Sequence, residues 1–159
     1  MKTLILLDID GVLNPVVGPA LDGDGPVLLL SGERRALVQR LAACGRIAWV
    51  STWPLAQTIG LESQLLLSRE PLRVTLPRAS LDESNAATPK LRPVSRWLVR
   101  MSGVGEDDWD AVVWIDDVLG PDAHSWALEQ TMPVHLVKPS ATSGLTAEHV
   151  EDVEAFCRS

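Results

Sequence analysis

Short unbroken apolar runs alternate along this chain with segments whose apolar positions recur every three or four residues. The runs at 3–8, 47–51, 72–76, 111–116 and 134–137 predict strands covered on both faces. Residues 32–44 carry helical spacing, with Leu37, Val38, Leu41 and Ala42 on one face. Gly45 closes that helix, and Arg46 leads into the second strand. A short helix is expected over 54–59, since Pro suits a first helical turn. Another opens at Pro89-Lys90 and runs to about Met101, which places Pro93 in its first turn. Further helices are expected near 123–130 and over 146–157. Thr146 is the N-cap of the last one, and His149 stands where Glu or Gln would complete a capping box, so a partial cap is expected. Between these elements, 14–31 is a long loop rich in Gly and Pro, and 77–89 is polar and loop-like. Asp22-Gly23-Asp24-Gly25 lacks the later ligands of a calcium loop and reads as a turn.

Strand following helix throughout implies an α/β fold: a three-layer, Rossmann-like parallel sheet of about five strands, right-handed crossovers, and helices on both faces. At 159 residues the chain fits a single domain spanning 1–159. In such sheets ligands bind beyond the carboxyl ends of the strands. The polar residues that end the apolar runs here are Asp8, Ser51 and Asp116.

Composition narrows the classes. With 46% hydrophobic and 22% charged residues the chain is globular, not disordered. A net charge of −7, from 14 basic and 21 acidic side chains, argues against strong nonspecific attraction to nucleic acid. Cys44 sits in an apolar helical run and reads as a buried core thiol, and Cys157 as a free thiol near the C-terminus. Neither follows a metal-ligand spacing or suggests a disulfide framework. Asp8 interrupts the first apolar run, which is too short for a signal peptide, and no stretch reaches membrane-spanning length. The expectation is a soluble, cytoplasmic protein with no membrane partner.

Four segments carry candidate chemistry. In Leu7-Asp8-Ile9-Asp10-Gly11, two carboxylates follow a strand and a glycine turns the chain. One carboxylate can attack phosphorus, and the other can serve as acid and then base. A calcium loop or a plain polar turn would read the same way. Ser51-Thr52-Trp53 offers a hydroxyl at a strand end, either for a phosphoryl oxygen or as a helix N-cap. Thr88-Pro89-Lys90 supplies an ammonium, either solvated or neutralising carboxylate and phosphate. In Trp114-Ile115-Asp116-Asp117, two acids after a buried strand must be solvated, paired, bound to metal or used as caps. Carboxylates from two strands would make an oxygen-rich site that suits magnesium.

In their order, acid pair, hydroxyl, lysine, acid pair, these segments resemble the four motifs of the haloacid dehalogenase (HAD) superfamily, from Leu4 to about Asp117. The resemblance implies a catalytic pair, Asp8 as nucleophile and Asp10 as general acid/base. It implies substrate binding by Ser51, Thr52 and Lys90, and a magnesium site on Asp8, Asp10, Asp116 and Asp117, Asp10 contributing its main-chain carbonyl. More narrowly, Asp-Gly-Val-Leu-Asn-Pro (10–15), Ser-Thr-Trp (51–53), Thr-Pro-Lys (88–90), Trp-Ile-Asp-Asp (114–117) and Gly-Leu-Thr-x-x-His (144–149) resemble the small HAD domain of Swiss Army Knife RNA-repair proteins.

Many HAD enzymes carry a separate cap domain. Here 15–31 is too short for one, and 52–89 has room for a short helix pair and loops, so an open site and a large or polymeric substrate are expected. Six tryptophans beside one Phe and no Tyr are unusual. Trp49 and Trp114 are expected in the core, and Trp53 either packs or stacks on a base at the pocket mouth. His124, His135 and His149 are assigned to no metal. The resulting expectation is a magnesium-dependent phosphomonoesterase acting through an aspartyl-phosphate, on a phosphorylated small molecule, nucleotide or nucleic-acid end. The rivals are a catalytically silent binding or scaffold module, which the intact Asp8/Asp10 pair disfavours, and a phosphotransferase. A dehalogenase fits less well, since that chemistry calls for neither a metal nor an acid/base at Asp10.

Overall fold

A computed structural model describes residues 1–15, 28–77, 81 and 85–159. Their elements run β1 (Thr3–Leu7), α1 (Gly32–Cys44), β2 (Gly45–Trp49), α2 (Leu55–Leu65), β3 (Leu72–Arg73), α3 (Leu91–Gly103), β4 (Ala111–Ile115), α4 (Pro121–Glu129), β5 (Val134–Val137) and α5 (Ala147–Arg158). The five strands form one sheet in the order β3-β2-β1-β4-β5, and every adjacent pair is parallel. β1 is central, in register with β2 through Leu7↔Trp49 and with β4 through Leu7↔Ile115.

Because side chains alternate along a strand, the central strands feed two cores. Ile5, Leu7, Ile47, Trp49, Val113 and Ile115 face the layer of α1, α2 and α5, where Leu37, Leu41, Leu61, Leu65, Val150 and Val153 are buried. Leu4, Leu6, Ala48, Val112 and Trp114 face α3 and α4, with Val94, Trp97 and Ala123. Trp97 stacks on Trp109 at 6.0 Å, and Trp126 meets the Trp114 ring edge-on. Trp49 and Trp114 are fully buried, as expected.

Several boundaries differ from the sequence expectation. β2 begins at Gly45 and ends at Trp49, because Gly45 already pairs with Thr3, so Ser51 lies beyond the strand. The short helix expected over 54–59 is eleven residues long, and Pro54 flanks it as N-cap. Thr58, Leu61 and Leu65 bury one stripe of it, and that burial carries the helix past Gly60. β3 has two residues instead of five, since only Ala48 and Trp49 offer it a partner at the sheet edge. α4 starts at Pro121, two residues ahead of the expected stretch, with Pro in its first turn.

The cap of α5 is complete, not partial. The Thr146 hydroxyl accepts from the His149 amide, and His149 Nδ1 accepts from the Thr146 amide at 3.0 Å. An imidazole nitrogen here fills the place of a carboxylate oxygen. Cys44 is half-buried against the core instead of enclosed, and burial, then neighbouring Cys157, push its thiol up to about 11. The turn expected over 22–25 and much of the loop expected over 14–31 and 77–89 lie outside the described residues. Among the described residues there is no cap domain, and no helix is long and apolar enough to cross a membrane.

Candidate active site

The chain runs outward from β1 to β2 and β3, then returns to the other side of β1 for β4 and β5. The strand order therefore reverses between β1 and β4, where a crevice opens at the carboxyl edge. Asp8 follows β1 and Asp116 follows β4, so the two acids flank that crevice. Both are buried, with exposures of 3% and 0%. Their main-chain amides continue the sheet ladder, Asp8 to the Ile115 carbonyl and Asp116 to the Val137 carbonyl, each at 3.1 Å. The sheet itself thus fixes where the carboxylates stand.

Lys90, from the N-terminal end of α3, closes the pair. Its Nζ lies 2.9 Å from Asp8 Oδ1 and 3.0 Å from Asp116 Oδ2, and donates to the Val50 carbonyl at 3.2 Å. The lysine is therefore a largely covered, fully engaged cation and not a solvated surface residue. Asp8 Oδ1 also accepts from the Ile9 amide at 2.8 Å, and Asp116 Oδ1 from the Val118 amide at 3.0 Å. The latter is an Asx-type turn of Asp116 on its own loop. Gly120 caps α4 without a side-chain bond, so neither Asp116 nor Asp117 serves as the helix cap.

Burial, and then the charge of Asp116, push the Asp8 carboxyl well above the usual carboxylate range, more than Lys90 offsets. Burial likewise raises Asp116, against the opposing pull of Lys90 and the Val118 amide. For Lys90, burial disfavours the ammonium, but Asp116 and Asp8 outweigh it and hold the group above its ordinary value. Asp117 joins the two acids: carboxylate oxygens of Asp8, Asp116 and Asp117 all lie within 4.8 Å of one another. Gly11, at φ +80°, makes room for it, because a Cβ at that position would sit 2.4 Å from the Asp117 carboxylate. In their ionised forms three carboxylates face one ammonium, leaving two negative charges in excess. An all-oxygen donor set with that excess fits a hard divalent cation. No histidine or cysteine belongs to the cluster.

Asp10 stands apart from the cluster and is exposed. Asn14 Nδ2 donates to its Oδ1 at 3.1 Å, and the Trp53 indole Nε1 donates to its Oδ2 at 2.9 Å. Ser51 is half-buried, and its Oγ accepts from the Trp53 amide at 3.1 Å. Its hydroxyl therefore shapes its own turn and does not cap α2, whose N-cap, Pro54, makes no side-chain bond. Thr52 is exposed beside it.

Some supporting residues take up contacts that the sequence did not assign to them. Thr88, buried ahead of Lys90, donates to Asp122 Oδ1 at 2.7 Å and accepts from the Gly120 amide at 2.7 Å, while its amide donates to Asp122 Oδ2. The loop before α3 is thereby tied to the start of α4. Although burial acts in the opposite sense, the Thr88 hydroxyl and amide hold the Asp122 carboxyl below its ordinary value. Arg34 reaches from α1 to the Val12 and Leu13 carbonyls at 3.0 Å and to the Ser143 carbonyl at 2.8 Å. The Leu145 amide also donates to Val12. Gly-Leu-Thr-x-x-His at 144–149 is thus a docking and capping segment that braces the turn after Asp10. An arginine at this spacing looks like any other helical surface residue, so only the fold could reveal it.

The model of a family described as the HAD domain in Swiss Army Knife RNA repair proteins matches residues 4–150. Neither a curated protein nor a solved structure matches the chain.

Proposed function

Because the chain belongs to the family of HAD domains in Swiss Army Knife RNA repair proteins, we propose that it is a magnesium-dependent phosphomonoesterase working through an aspartyl-phosphate on Asp8. One observation carries this reading: the buried Asp8–Lys90–Asp116 cluster, with Asp117 beside it, at the switch point of the sheet. A structural ion pair would be balanced, whereas this cluster has excess acid, as a site that takes up metal and phosphate requires.

Magnesium held by Asp8, Asp116, Asp117 and the Asp10 main-chain carbonyl would offset the charge of carboxylates and phosphate. The Asp8 oxygen not anchored by Lys90 and the Ile9 amide attacks phosphorus. As the bond to the leaving oxygen breaks, the Asp10 carboxyl gives that oxygen a proton. Lys90 steadies Asp8 and the transferred group, and the Ser51 hydroxyl, with Thr52 beside it, donates to a phosphoryl oxygen. Asp10 then takes a proton from water, whose oxygen attacks the phosphoryl group, releasing inorganic phosphate and restoring Asp8. The fitting substrate class is a phosphorylated nucleotide or RNA end, which the family's association with RNA repair supports. The whole chain acts as a single catalytic domain.

Hydrolysis of an aryl phosphate should depend on magnesium and fall by roughly three orders of magnitude or more in Asp8→Asn. A panel of nucleotides and of 5′- and 3′-phosphorylated oligonucleotides then ranks substrates. Folded wild-type protein that turns over none of them with magnesium present would overturn the reading in favour of a binding module.

A further inference from the structure

The proposed reaction requires the Asp10 carboxyl to meet the leaving oxygen in a definite orientation, yet Asp10 is exposed and no main-chain amide anchors it among the described residues. Its orientation comes from side chains. Asn14, four residues on, takes Oδ1 at 3.1 Å. Trp53, from beyond β2, takes Oδ2 through its indole N–H at 2.9 Å. Trp53 is half-buried and packs against the core layer of α1, α2 and α5, so it is the stiffer of the two donors. The same residue donates its main-chain amide to Ser51 Oγ at 3.1 Å. That contact uses an acceptor site of the hydroxyl and leaves its O–H free to point away.

We propose that Trp53 is a positioning residue that locks the acid/base Asp10 and the phosphate-binding hydroxyl of Ser51 into one rigid unit. The inference rests on the phosphomonoesterase reading above and adds to it a residue which would otherwise count as packing. An indole is well suited to this role, since it has a single donor, no acceptor and few rotamers. It can therefore hold a carboxylate without competing for its proton. Each oxygen of Asp10 keeps a lone pair free of these two donors, and the leaving group can use it.

A misaligned acid matters most when the leaving oxygen is a poor leaving group, because an alkoxide needs its proton and a nitrophenolate does not. The discriminating measurement is therefore kcat/KM for an alkyl phosphate and for 4-nitrophenyl phosphate, in wild type and Trp53→Phe. The expected result is a loss of roughly tenfold to a hundredfold on the alkyl substrate, with KM little changed and only a small loss on the nitrophenyl one. Replacing Trp53 by benzothienylalanine keeps the bicyclic ring and removes only the N–H, so it gives the same selective loss even if the Phe variant folds poorly. Equal losses on both substrates in the isosteric protein, or none, would overturn the inference while leaving the phosphatase reading intact. Wild-type protein inactive on both substrates would remove the reaction, and the inference with it.

Discussion

Asp8 and Asp116 are neighbouring buried acids that share Lys90, and their charges cost stability wherever no cation balances them. Both carboxyls are raised in the folded protein, by burial first, and Asp8 the more strongly. A raised acid holds its proton in the folded state after the unfolded chain has lost it. Metal-free stability should therefore fall as pH rises from about 3.9 through the raised value of Asp8, and stay lower above it. Lys90 acts in the opposite sense, and its contribution is lost only above about 10.4. Asp8→Asn should accordingly melt higher than wild type at neutral pH without metal, with the gap closing toward pH 4 and narrowing when magnesium is added. Each kcal/mol corresponds to roughly 2–4 °C at this chain length. A gap that ignores both pH and magnesium would contradict the account. At this scale Asp8, Lys90, Asp116 and Asp117 were singled out in the sequence by where they stand at strand ends and a helix start, and the structure brings them together. Asp122 was not singled out, and Trp53 and Thr88, though within segments read as motifs, gave no sign of the bonds they make to Asp10 and Asp122. Indole and hydroxyl groups acquire such roles only through contacts distant in sequence.

Among the elements, α3 matters through its first residues, because Lys90 must enter the crevice at a fixed angle. Thr88 sets that entry by joining the loop ahead of α3 to Gly120 and Asp122. Thr88→Val keeps the shape and leaves the half-buried Gly120 amide and the Asp122 carboxylate each short of a partner, which should cost about 0.5–1.5 kcal/mol. Activity should fall with stability, and Thr88→Ser should restore both; a stable but inactive valine variant would point to direct substrate contact instead. α1 and the last strand were read with their observed limits, since spacing and glycine fixed them locally. α2 was read too short because Thr58, Leu61 and Leu65 reveal their stripe only when packed on the sheet. Leu61→Ala should lose about 2–5 kcal/mol, seen as a lower denaturation midpoint, since Leu61 is fully buried. A loss below about 1 kcal/mol would mean that α2 is not anchored through that stripe.

The whole molecule is organised around one reversal of strand order. Starting at the central strand and returning to its far side puts two strand ends, each followed by an acid, side by side. The alternation of strands and helices foretold the layers and the parallel sheet, and the rule for ligands at strand ends located the crevice. It could not foretell which strands would be neighbours, because strand order depends on tertiary packing. That order is what brings Asp116, more than a hundred residues away, against Asp8. Arg34 and the 144–149 segment extend the same logic, bracing the turn after Asp10 from α1 and from the start of α5.

The central claim is that Asp8 is the phosphorylated group. It is tested most directly by incubating Asp10→Asn, in which release by water should be slow, with magnesium and 4-nitrophenyl phosphate and quenching in acid. Mass spectrometry should then find one added phosphoryl group per chain, mapped to the peptide holding Asp8, sensitive to hydroxylamine, and absent when Asp8→Asn is combined with Asp10→Asn. Turnover by the wild type with no adduct in the variant, or an adduct on another residue, would contradict the account.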